Sequence, residues 1–261
     1  MLQHWTVNAA VLGTAALVAS AVIISNNARN MKRRARMLRT ATTSISRAKA
    51  SELAEIKGKV VVGPEGVVRS AVRGRAGVWS RVIVDKWLTQ GKSGRWERIY
   101  TKKEHKPFFV DDGSRPMARI EPARANAMLH AATFHVDGLF RGPSAQVAEF
   151  LSRVGIFAPS LGEPALRIVE EVLEANVAIY ALGPARREPG PPVIDGYRTA
   201  PSDQLVLVGD DGDEGELIVS DRTEAQLMSR LAWPTVGGVI LGAAGAVVDV
   251  VALASWLAAG P

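Results

Sequence analysis

Residues 7–24 read VNAAVLGTAALVASAVII, an unbroken uncharged run. As a helix it rises about 27 Å, close to the roughly 30 Å of hydrocarbon in a bilayer. A cationic tract follows, RNMKRRARMLR, carrying Arg29, Lys32, Arg33, Arg34, Arg36 and Arg39, and no acid precedes Glu52. This pairing constrains the chain more than any other feature, because it predicts a membrane helix and fixes its orientation. Cations beside a span stay in the cytoplasm, which leaves Met1 on the opposite side. A buried core helix is the soluble alternative. A cleaved signal peptide fits poorly, since its positive charge comes before the apolar run and not after it. Trp5 stands where an interfacial aromatic would sit. The tract itself reads as a topology signal, with anionic lipid as its partner. Residues 30–51 contain neither Gly nor Pro, so residues 26–53 are expected to continue as a basic juxtamembrane helix.

A second apolar run closes the sequence between Trp233 and Trp256. The two indoles lie about 35 Å apart along a helix, a spacing that matches two interfacial belts. Gly238, Gly242 and Ala246 recur every fourth residue and form a small-residue stripe that lets another helix approach closely. The expected partner is the first span, with Gly13 as a contact; self-association through Gly238 and Gly242 is the rival. Asp249 interrupts the apolar run and is expected either to make a polar contact with a partner helix or to be protonated or snorkel.

The charge balance follows from this layout. The chain carries 32 Lys and Arg against 26 Asp and Glu, for a net charge of +6. Much of the excess sits in the juxtamembrane tract, so the basic pI points to a lipid surface and not to nucleic acid. Within the middle region, residues 50–159 are net basic and residues 160–232 net acidic. There is no cysteine, which excludes disulfides, thiolate nucleophiles and cysteine-based zinc sites. The four histidines show no metal-ligand spacing, and neither a metal nor a cofactor is expected.

Between the spans the pattern turns to short β-rich runs broken by Gly and Pro. Residues 57–62, 78–87, 95–101, 107–110 and 117–120 read as strands. Trp96, Arg98 and Tyr100 are expected on one face, and Asp111-Asp112-Gly113 forms a hairpin turn. Residues 143–155 read as a helix capped by Ser144, with Val147, Phe150, Leu151 and Val154 on its apolar face. Residues 166–173 and 177–182 are expected to pair, residues 186–201 to be a mobile Pro- and Gly-rich loop, and residues 205–208 and 216–219 to flank an acidic turn as a hairpin. Residues 222–231 read as a helix capped by Asp221, with Glu224 completing a capping box. Two apparent motifs fail. Gly91-Lys92-Ser93 lacks the earlier Gly of a phosphate loop, because Lys86 occupies that position. The acidic run from Asp210 to Glu216 puts Gly215 where a calcium loop needs a side-chain oxygen.

Several of these residues also resemble a known family. Ile56-Lys57-Gly58-Lys59-Val60, Gly77-Val78, the run from His105 through Pro107, Phe108, Asp111, Asp112 and Gly113, and Ala118-Arg119-Ile120-Glu121-Pro122 resemble the GIDE, or beside-a-membrane, domain. Glu170-Glu171-Val172-Leu173, residues 176–183 and Ile218-Val219-Ser220-Asp221 resemble its later half. The resemblance spans residues 54–231 and implies such a domain between two membrane helices, as in membrane-anchored mitochondrial RING-type E3 ubiquitin ligases. In those relatives the domain lies in the intermembrane space and handles partners or substrates. With no cysteine, and with the sequence closing at Pro261, no RING is expected here, so the comparison is with bacterial relatives that lack one.

The expectation is a membrane-anchored α+β protein. A transmembrane helix (1–25), a basic helix (26–53), a β-rich, hairpin or barrel-like domain (54–231) and a second transmembrane helix (232–258) follow in order. Its function is expected to be partner or substrate binding. The alternatives are an accessory role in a ubiquitin-like or stress pathway and, less favoured, an enzyme using His105, Asp111 and Asp112 as acid–base groups. Nucleic-acid binding by Trp96, Tyr100 and the cations of residues 95–106 is disfavoured by the membrane tether.

Overall fold

The computed structural model describes residues 2–91, 93–114, 116–138, 140, 142–195, 198–210 and 215–258. It is an α+β structure with a strand-rich middle between apolar helices near the two ends. The chain divides into two compact units: Met1–Thr40 with Glu224–Pro261, and Ala41–Thr223.

The first unit is helical. Helix α1 spans Leu2–Asn26 and α2 spans Ala28–Arg39. Helix α4 is one 35-residue helix, Glu224–Ala258; α3 belongs to the other unit. At 1.5 Å per residue α4 is about 52 Å long, well beyond the hydrocarbon thickness. The predicted helix of residues 222–231 is therefore not separate from the second apolar segment. It continues through Pro234, which removes one helical N–H without breaking the helix. Just before it, the Asp221 carboxylate accepts the His130 amide at 3.0 Å.

The juxtamembrane helix stops at Arg39, not at residue 53. Thr40 is already extended, and the β-branched Thr40, Thr42 and Thr43 lose rotamer freedom in a helix. Residues 41–52 belong instead to the β-rich unit, where Ile45 and Ala48 are buried in its core.

That unit contains β1 (Leu53–Val62), β2 (Val68–Arg69), β3 (Ala76–Gly77), β4 (Trp79–Gln90), β5 (Ser93–His105), β6 (Phe108–Asp111) and β7 (Ala118–Glu121). After a 3-10 turn come β8 (Asn126–Ala127), β9 (Ala131–Val136), α3 (Ala145–Arg153), β10 (Leu166–Leu173), β11 (Ala178–Asp195), β12 (Arg198–Val208) and β13 (Ile218–Ser220). Strands β1, β6, β7, β12 and β11 close into a five-stranded barrel, because β1 also pairs with β11. Alternating residues point inward: Ile56, Val60, Phe108, Val110, Ile120, Leu205 and Leu207 fill the interior. Burying each of the large aliphatic chains contributes roughly 1.5–3 kcal/mol.

Three expectations about pairing are corrected. Strands β10 and β11 do not pair; β10 lies between β4 and β9 in a second, four-stranded antiparallel sheet of order β5-β4-β10-β9. Of residues 186–201, those up to Asp195 and from Arg198 are no loop. They lie in β11 and β12, which pair antiparallel with a register shift between Gly190 and Val193. Strands β12 and β13 are not a hairpin either. Both pair antiparallel with β11, at Ala185↔Leu207 and Leu182↔Ile218, so β13 takes up the edge that β12 leaves. The acidic residues 211–214 that were expected to turn between them lie outside the described residues, as does Lys92.

Helix α3 covers one face of the four-stranded sheet. Its Val147, Phe150 and Leu151 pack with Val82, Val84 and Ile168, and Ser144 accepts the Val147 amide as its N-cap. Phe150→Ala would open a cavity worth about 3–5 kcal/mol.

Candidate functional site

Three places carry the residues singled out in the sequence. The first is the α1–α4 seam, where the helices run antiparallel: Gly13 lies against Gly245 and Asp249, Ser20 against Gly242, and Ile23 against Gly238. The Ser20 hydroxyl donates to the Gly238 carbonyl at 2.7 Å. A Cβ on Gly242 would sit 2.6 Å from Ser20 Oγ, and one on Gly245 2.7 Å from the Gly13 carbonyl. At Gly245 the neighbour is backbone and leaves no room for a side chain, whereas at Gly242 the Ser20 hydroxyl would have to shift. Ala246 is exposed, and Gly245 takes its place in the seam. The spacing is 238, 242, 245, 249, a 3.5-residue repeat of coiled-coil type and not a strict four-residue one. Asp249 faces Gly13, and its Oδ1 is buried without a hydrogen-bond partner among the described residues. The surface away from the seam is apolar: Leu12 is 68% exposed and Ile240 63%. The Trp233 and Trp256 indoles are both exposed, and the side chain of Trp5 lies outside the described residues.

On α2 the six predicted surface cations divide by helical periodicity. Arg29, Lys32, Arg33 and Arg36 share one face; Arg34 lies with Met31, Ala35 and Leu38 on another; Arg39 ends the helix.

The second place is the His105–Gly113 segment. His105 closes β5 opposite Trp79, and Lys103 stands opposite Arg81. Burial, reinforced by the Lys103 charge, pushes the His105 imidazole below its ordinary value, with Glu121 opposing. The Lys103 ammonium donates to the Ala123 carbonyl at 3.2 Å. Pro107 and Phe108 lead into β6, where Phe108 is barrel core. Asp111 Oδ1 accepts the Gly113 amide at 2.8 Å, and Gly113 has φ +82°, the left-handed conformation that glycine adopts without strain. Asp112 accepts from the Ser114 hydroxyl, the Ser114 amide and the Ile45 amide. His105 ends β5 and Asp111 ends β6, two strands joined by Lys106 and Pro107. Asp111 and Asp112 hold the turn and the 41–52 segment.

The third place was not legible in the sequence. A register shift between Val84 and Asp85 skips Ile99, so Tyr100 turns toward α3 and meets Phe150 edge to face, with ring centroids 6.1 Å apart. Trp96 and Arg98 face the other way, which corrects the predicted three-residue face. On that opposite face, cross-strand neighbours from all four strands align: Arg98, Asp85, Arg167 and His135. Asp85 is 5% exposed and accepts Arg167 at 2.7 Å, with Arg98 at 3.5 Å. In the adjoining row Trp87 and Trp96 meet edge to face at 5.2 Å, and the Trp87 ring lies over Gly94, where no side chain fits. Arg167 stacks 4.6 Å above Trp96, and His135 approaches its edge at 6.4 Å. Together these groups form a half-buried aromatic floor rimmed by cations, with one buried carboxylate fixing the arginines. Aromatic and Arg-rich surfaces of this kind supply large contact area with few flexible bonds. Among the described residues, no group of three or more His, Asp and Glu is arranged to hold a metal ion.

Comparison with protein-family models, with curated proteins and with solved structures returned no match.

Proposed function

We propose that this chain is a two-pass membrane protein whose helix pair anchors a partner-binding β-rich domain. The observation that carries the reading is the inverted polarity of the helix pair. Its seam holds glycines, Ser20 and Asp249, while its outward surface is aliphatic. A helix pair in water would place those groups the other way round. The two candidate spans, Asn8–Asn26 and α4, are long and apolar enough to cross a bilayer. The cations of α2 follow the first span directly, which favours a cytoplasmic β-rich unit. Trp96, Trp87, Arg167 and His135 are the surface on which a protein partner docks. The likeness of residues 54–231 to the GIDE domain supports the same role, as an anchored binding module.

The test is site-specific photocrosslinking in native membranes. A photoreactive residue at His135 is expected to capture a defined partner that is lost in Trp96→Ala, while the same probe at Ser152 on α3 captures none. Identical adducts from both positions, or none from His135, would contradict the docking face.

A further inference from the structure

The four-stranded sheet has two outer strands, β5 and β9, and they differ in how their free edges are guarded. Strand β5 carries Arg95, Glu97, Arg98, Lys102, Lys103 and Glu104, and its ladder with β4 is interrupted where Ile99 is skipped. Charges and bulges are what keep an exposed edge from pairing with another chain. Strand β9 reads AATFHV, with no Lys, Arg, Asp, Glu or Pro, and its register against β10 is unbroken. Among the described residues, no strand pairs with its other side and no loop backbone bonds to it. Ala131, Thr133 and His135 are exposed. In an antiparallel ladder alternate residues turn both N–H and C=O away from the partner strand. Three residues of β9 therefore present their backbone groups outward, along an edge roughly 20 Å long.

The surroundings of this edge specify its occupant. His135 and its cross-strand neighbour Arg167 belong to the aromatic and cationic face. On that face Arg81, Arg98, Lys103 and Arg167 outnumber Asp85 and Glu171. A strand added beside β9 places alternate side chains there, about 10 Å from Arg167, or two strand spacings, which a carboxylate side chain and a guanidinium span together. Its other side chains fall on the side of Phe134, where the sheet packs with α3 and is apolar. Past Val136 the surface stays apolar: Gly138 lies against Ser160, and the next residue, Leu161, is 72% exposed. A second copy of β9 is the poorer occupant. Two-fold antiparallel pairing sets the His135 and Arg167 rows of both copies on one face, like charge beside like.

We infer that β9 is the docking edge for an extended, acidic segment of a partner protein, which joins this sheet as an added strand. Backbone hydrogen bonds along β9 supply the pairing. Carboxylates in the row of His135 meet Arg167, and the alternate, apolar side chains cover Phe134 and the Leu161 end. This specifies the mode and chemistry of the docking face proposed above, and it rests on that reading.

The experiment uses the full chain in lipid nanodiscs and blocked heptapeptides as probes. One alternates valine with glutamate and one valine with lysine. Two further forms of the glutamate peptide are N-methylated, each on one alternate set of amides. The glutamate peptide is expected to bind and to slow hydrogen exchange at alternate amides of residues 131–136. The lysine peptide is expected to bind about tenfold more weakly, and His135→Glu to reverse that preference. One N-methylated form, the one blocked on the amides that face β9, is expected to lose about tenfold in affinity while the other binds as before. Equal binding of the two N-methylated forms, or unchanged exchange in β9, would overturn strand addition. If a photoreactive residue at position 135 still captured a partner in native membranes, the docking face would stand without it; loss of that capture as well would overturn both. Disulfide-linked dimers of Thr133→Cys formed in native membranes would make a second copy the occupant and overturn the proposal.

Discussion

Asp112 Oδ2 accepts a hydrogen bond from the Ile45 amide at 2.8 Å, joining residues 67 positions apart. This contact holds the segment after α2 onto the β-rich unit, with Ile45 fully buried beneath it. Burial raises the Asp112 carboxyl. The Ser114 hydroxyl and the Ile45 and Ser114 amides outweigh that effect and hold it below the usual carboxylate value. A depressed folded value stabilises the fold above the unfolded value, near 3.9, and the benefit is lost as pH falls through the folded one. Asp112→Ala is expected to cost about 1–2 kcal/mol, discounted for its partial exposure. It should also speed hydrogen exchange at the Ile45 amide, and unchanged exchange there would contradict the tether.

His105 works in a different window. Its folded value is lowered by burial and by Lys103, so protonation disfavours the fold. Stability should be full above the ordinary histidine value, near 6.5, and decline as pH falls below it toward the folded value. Denaturation midpoints compared between pH 7.5 and pH 5.5 should show this slope in the wild type and a shallower one in His105→Gln. Equal slopes would remove the coupling between His105 and its surroundings.

The helix seam can be tested without background, because the chain has no cysteine. A Cβ on Gly242 would lie 3.2 Å from the Ser20 Cβ. The pair Ser20→Cys and Gly242→Cys is therefore close enough for a disulfide. It should oxidise within one chain, and oxidation only between chains would mean that the α4 face pairs with another copy. Gly245→Leu should weaken the seam by more than about 2 kcal/mol, since its side chain would meet the Gly13 backbone.

The parts governed by local chemistry were legible in the sequence. Hydropathy alone marked both apolar helices, Ser144 marked the start of α3, and Asp111-Asp112-Gly113 marked its turn. What escaped depends on partners far along the chain. Residues 40–52 lack any helix breaker, yet their place is set by Asp112 and the barrel core. Pro191 and Pro192 signal a loop locally, but a register shift absorbs them within β11. The skipped Ile99 inverts Tyr100, and no alternation pattern reports a bulge in advance. The seam at Gly245 depends on a 3.5-residue repeat that a four-residue stripe resembles for only two steps. The Trp96–Arg167–His135 cluster draws on three strands whose order is not local information.

The central claim is that α1 and α4 face lipid with their aliphatic sides. Spin labels at Leu12→Cys and Ile240→Cys in reconstituted bilayers, read by electron paramagnetic resonance with oxygen and a water-soluble nickel chelate, test it directly. High oxygen accessibility with little nickel accessibility at both positions is the expected result. Free access of the nickel chelate at either position would place these helices in water and contradict the account.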